Sequence, residues 1–135
     1  MEAALREAAA GQGSVSLLVT YSDMHGLWGG VTMTLTGAGE YERTSREPGG
    51  PAVAVQHRVD GARVAAIVRL LLEIEAWERR VAEQPPLPDE SRATLTLRCG
   101  GAESSIWERY NDLAENRRLV RVRDALAGLA AEGDA

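Results

Sequence analysis

Two stretches of the chain alternate apolar and polar side chains almost without exception: Val31-Thr32-Met33-Thr34-Leu35-Thr36 and Ala93-Thr94-Leu95-Thr96-Leu97-Arg98. Successive side chains of a β-strand point to opposite sides, so each stretch has one face to bury and one face to wet. Each then runs into a glycine-bearing turn, a polar strand and, further on, an amphipathic helix. That order predicts a two-layer α+β domain: an antiparallel sheet of about five or six strands with two long helices on one face.

The remaining segments fit this frame. Glu2 to Ala10 is alanine-rich and reads as a short helix, ended by Gly11 and Gly13. Val15 to Tyr21 is nearly continuous in apolar character and reads as a central strand, whereas the polar run Tyr41 to Arg46 reads as an exposed edge. Val53, Val55, His57 and Val59 share one face of the next strand. Asp60 can cap a helix through its side-chain oxygen, and Val64, Ile67, Val68, Leu71, Ile74 and Trp77 form its apolar stripe. This helix is expected to run to near Val81, ahead of Pro85-Pro86-Leu87-Pro88. Glu103 to Tyr110 returns as a strand with Ile106 and Trp107 on opposite faces. Asn111 or Asp112 can cap the last helix, which buries Leu119, Val122, Leu126 and Leu129. The chain reads as one domain over 1–135, with an N-terminal helix or arm at 1–12 and a frayed tail at 131–135.

A 135-residue chain buries roughly two thirds of its unfolded surface and needs neither disulfide nor metal to fold. All 15 basic residues are Arg, a bias associated with GC-rich bacterial genomes. The net charge of −5 disfavours nucleic acid and anionic membranes, and favours a basic partner if there is one. The lone Cys99 excludes an internal disulfide and a cysteine zinc site. The first residues lack the basic start and apolar run of a secretory signal, and no apolar run approaches the ~20 residues of a membrane span. A cytoplasmic protein is expected.

Catalytic constellations do not emerge. No serine sits in a nucleophile turn of the Gly-X-Ser-X-Gly kind, and Gly11-X-Gly13 and Gly37-X-Gly39 are glycine pairs of turns, without the Lys-Ser or Lys-Thr of a phosphate loop. Asp23 and His25 offer two metal ligands in one loop but no third, and a loop Asp ordinarily bonds its own backbone. Cys99 reads as a buried small hydrophobe. Arg117, Arg118, Arg121 and Arg123 form either an anion patch or a solvated helix face paired with nearby carboxylates.

The threonine-rich strand, the Thr36-Gly37-Ala38-Gly39 turn, the polar strand with Tyr41 and a helix closing on Trp77 resemble small, uncharacterised bacterial α+β domains of hairpin–helix–hairpin–helix layout. The resemblance spans about residues 30 to 130, in which a second hairpin and last helix follow. It implies the fold and carries no catalytic residue.

Two surfaces remain as candidates for function. One is the loop Met24 to Gly30, in which Met24, Leu27 and Trp28 stand among glycines; Trp and Met are enriched at contact sites. The other is the open sheet face, lined by Thr20, Thr32, Thr34, Thr36, Thr94 and Thr96 and carrying Trp107. The reading is a non-catalytic protein-binding module, of inhibitor, immunity or adaptor type, that binds another protein or itself and needs no cofactor or metal. The alternative is a small enzyme or ligand-binding domain with a pocket near Asp23, His25 and His57.

Overall fold

The computed structural model describes residues 1–10, 16–24, 29–78, 92–109, 113 and 115–132. In chain order these form α1 (Glu2–Ala9), β1 (Leu17–Ser22), β2 (Gly30–Thr36), β3 (Glu40–Arg46), β4 (Val53–Arg58), α2 (Gly61–Glu73), β5 (Arg92–Cys99), β6 (Ala102–Arg109) and α3 (Arg117–Glu132). The six strands make one sheet in the order β4-β3-β2-β1-β5-β6, and every neighbouring pair is antiparallel. No described helix is long and apolar enough to cross a membrane.

The centre of the sheet is built as the alternation requires. Leu17, Val19 and Tyr21 of β1 are buried and Leu18, Thr20 and Ser22 are half-buried. Val19 lies between Leu35 and Leu97, and Tyr21 between Met33 and Leu95. These side chains join Leu5 of α1, Val68 and Leu71 of α2, and Leu119 and Leu126 of α3 in a single buried cluster. Each side chain of that size contributes about 1.5–3 kcal/mol when withdrawn from water. β2, β3 and β4 lie on one side of β1 and β5 and β6 on the other, and α3 packs across β2, β3 and β4; Gly39, Gly100 and Gly101, in the two hairpin turns, have positive φ.

Three expectations are corrected. The polar strand β3 is internal, paired with both β2 and β4, and β4 takes the edge. Side-chain polarity reports the face a strand exposes, whereas its place in the sheet is set by pairing between distant segments. The first long helix stops at Glu73, with Ile74 as its C-cap. Glu75 adopts φ 51°, and the Ala76 and Glu75 amides turn back to the carbonyls of Leu71 at 3.0 Å and Leu72 at 3.2 Å. That pair of bonds is a Schellman closure, usually built on glycine. The proline-rich segment lies outside the described residues. Finally, the last helix is capped by Asn116, whose Oδ1 accepts the Leu119 amide at 3.2 Å; Asn111 and Asp112 lie outside the described residues. Asp60 does cap α2, accepting the Arg63 amide at 2.9 Å.

Candidate functional site

Register turns the alternating strands into a grid. On the face opposite the buried cluster, one cross-strand row reads Thr44, Thr32, Ser22, Thr94, Trp107, and the next reads Glu42, Thr34, Thr20, Thr96, Ser105. Adjacent strands lie about 4.8 Å apart, so each row is a near-continuous line of hydroxyls. Some bond each other: Ser22 and Thr32 share a hydrogen bond of 2.8 Å, and Thr96 and Ser105 one of 3.5 Å. At the β3–β4 end, Gln56 Nε2 donates to Glu42 Oε2 at 3.0 Å. A half-open groove of about 360 Å³ lies there, bordered by Thr34, Thr36, Glu42 and Arg58.

Trp107 stands at the other end of the first row. Ile106 is buried on the core side, so alternation sends the neighbouring indole to the hydroxyl face, where it is half-buried. The Arg92 guanidinium carbon lies 4.0 Å from its ring centroid, a cation–π contact. Arg92 was not a candidate by sequence alone. The signal that finds it is register, which places it on the adjacent strand two residues from Thr94, the cross-strand partner of Trp107.

The loop candidate is anchored by Asp23. Its Oδ2 accepts the Tyr21 hydroxyl at 3.0 Å and its Oδ1 accepts the Val31 amide at 2.8 Å, so both carboxylate oxygens bond protein groups. Gly29 and Gly30 complete the clasp. A Cβ on Gly29 would fall 2.1 Å from the Arg46 carbonyl oxygen, and one on Gly30 would fall 2.6 Å from that of Asp23. Met24 is half-buried beside this clasp, and its amide donates to Ser22 Oγ at 3.4 Å. Leu27, Trp28 and His25 lie outside the described residues.

Of the residues of the alternative pocket, Asp23 and His57 are far apart. Asp23 follows β1 and His57 lies in β4, three strands across and four residues along, which puts their backbones about 20 Å apart. His57 instead stacks against Tyr41, with ring centroids 6.2 Å apart and planes 2° from parallel. The Tyr41 hydroxyl is buried without a hydrogen-bond partner among the described residues. Burial raises its pKa, and nearby Arg43 opposes that rise. Cys99 is buried, and burial likewise pushes its thiol pKa up.

Three arginines of the α3 cluster have partners within the chain. Arg118 donates through Nε to the Ile74 carbonyl at 2.9 Å, and its Nη2 reaches the carbonyls of Glu75 and Glu78. Its charge therefore sits at the C-terminal, negative end of α2. Arg121 pairs with Glu73 at 3.3 Å and Arg123 with Asp124 at 3.2 Å, both at the surface. No protein-family model matches the chain, and neither a curated protein nor a solved structure does.

Proposed function

We propose that the chain is a non-catalytic protein-binding module whose contact surface is the hydroxyl-rich sheet face around Trp107 and Arg92. In this reading the two long helices, α2 and α3, cover the other face, and the protein works in a bacterial cytoplasm as an inhibitor, immunity-type or adaptor protein. The observation that carries the reading is the Trp107–Arg92 contact on a face made mostly of hydroxyl and charged side chains. Trp and Arg are the residue types most enriched where binding energy concentrates. Thr94 and Thr96 extend the patch along β5, and threonine suits a pleated surface without building a second core.

The charge on this face favours an acidic partner over the basic one that the whole-chain charge suggests. Arg46, Arg58, Arg92, Arg98 and Arg109 share it with Glu40, Glu42 and Glu103, opposite in balance to the net −5 of the chain. Complementary charge steers association and suppresses wrong partners.

The test is affinity capture from the source cell with the wild-type chain, identification of the bound protein, and titration of that protein against variants. Trp107→Ala, with an unchanged circular-dichroism spectrum and melting curve, is expected to weaken the complex at least about tenfold, the scale of a contact hot spot. Equal affinity of wild type, Trp107→Ala and Arg92→Ala overturns the assignment of this face.

A further inference from the structure

The edge strand β4 carries a signal of its own, independent of the open sheet face. Val53 and Val55 are the exposed large hydrophobic residues among those described, at 56% and 37%. Both lie on β4, on its helix-side face, two residues apart. Nothing among the described residues pairs with its outer side.

Edge strands are ordinarily protected by charge, proline or a bulge, because their unpaired backbone groups template further pairing. The other edge, β6, carries Glu103, Glu108 and Arg109. In contrast, Val53 to Gln56 is Val-Ala-Val-Gln, with no formal charge and no proline, and its pairing with β3 runs through six successive residues without a bulge.

The ladder fixes which backbone groups face outward. The Val59 amide donates to the Gly39 carbonyl at 2.7 Å, and that pair continues the β3–β4 register. Bonded and non-bonded pairs alternate in an antiparallel ladder. Val53, Val55 and His57 therefore spend their N–H and C=O groups on β3, and those of Ala54, Gln56 and Arg58 point away from the sheet.

We propose that two copies of this chain associate through β4, antiparallel, about a two-fold axis at Val55, to form one continuous sheet. In this register Ala54 exchanges backbone hydrogen bonds with Gln56 of the second copy. Val55 meets its own symmetry mate in a close non-bonded pair, and Val53 meets His57. Each exposed valine is then covered, Val55 by its mate and Val53 by His57 of the second copy. Arg58, the one charged residue of the strand, falls opposite Ala52, so like charges do not face each other across the seam. The strand is thus complementary to itself on both faces, as a two-fold interface demands.

Sedimentation equilibrium at about 100 μM, where a micromolar dimer is populated, tests the association. The wild type is expected at twice the monomer mass. Ala54→Pro removes only an outward amide, so it should give a monomer whose melting curve matches the wild type at a concentration where both are monomeric. Val55→Lys places a charge on the axis and should give the same result. As a positive trap, Val55→Cys in a Cys99→Ser background should form an inter-chain disulfide in air, because close antiparallel pairs sit within disulfide reach; Val53→Cys should not. A monomeric wild type overturns the proposal. So does a dimer that survives both Ala54→Pro and Val55→Lys, or equal cross-linking at Val53 and Val55.

Discussion

Arg118, in the first turn of α3, donates its Nε–H to the backbone carbonyl of Ile74, the C-cap of α2, at 2.9 Å. One side chain thus closes the end of a second helix by donating to its C-cap carbonyl, for which the helix itself has no donor. The consequence is sharply unequal roles for two arginines one turn apart. Arg118→Ala is expected to cost about 1.5–3 kcal/mol, the range for a hydrogen-bonded charge, and Arg118→Lys to recover only part of it, because one ammonium does not reproduce the guanidinium fork. Arg121→Ala, which loses a surface pair with Glu73, is expected to stay within about 0.5 kcal/mol. Urea unfolding of the three variants checks this ordering.

Asp23 joins β1 to β2 through two hydrogen bonds of different kinds, one from the Tyr21 hydroxyl and one from the Val31 amide. Removing the acceptor leaves both donors in a site where Asp23 is only 8% exposed. Asp23→Ala is therefore expected to destabilise by about 2–4 kcal/mol, and Tyr21→Phe by about 1 kcal/mol. In the double variant the two losses should fall short of adding, because both substitutions remove the same Tyr21–Asp23 hydrogen bond. Full additivity in a double-mutant cycle would contradict the clasp.

Tyr41 and Cys99 both have folded-state pKa values raised by burial. The unfolded chain therefore releases these protons first as pH rises. Their contribution to stability is intact below the ordinary thiol and phenol range, and is lost as pH climbs above about 9 through the raised values. Denaturant midpoints measured from pH 7 to 11 should fall on the alkaline side. Tyr41→Phe should flatten that fall while leaving neutral stability equal or higher, since its buried hydroxyl bonds no described group. Native Cys99 should react with a thiol reagent only as fast as the protein opens.

The polar positions of the candidate face were legible because period-two alternation is local. Thr32, Thr34, Thr94 and Thr96 had to share a side with whatever β2 and β5 did not bury. Trp107 could be placed there from its neighbour Ile106. Its partner Arg92 could not, because the contact joins two strands and depends on their register. The loop residues Leu27 and Trp28 lie outside what the structure describes, and Asp23 beside them is held by hydrogen bonds to Tyr21 and Val31.

By itself, the order of residues determined the strands, the apolar stripes of α2 and α3 and the Asp60 cap, since each depends on neighbours within a turn or a pleat. Only the tertiary structure decided that β3 lies inside the sheet and β4 at its edge, that α2 stops at Glu73, and that Arg118 bonds the C-terminal end of α2. Those outcomes depend on residues tens of positions apart, such as Arg118 and the Ile74 carbonyl it bonds, and on which of many possible partners wins each backbone group. No local pattern carries that competition, because it is settled only when the elements pack.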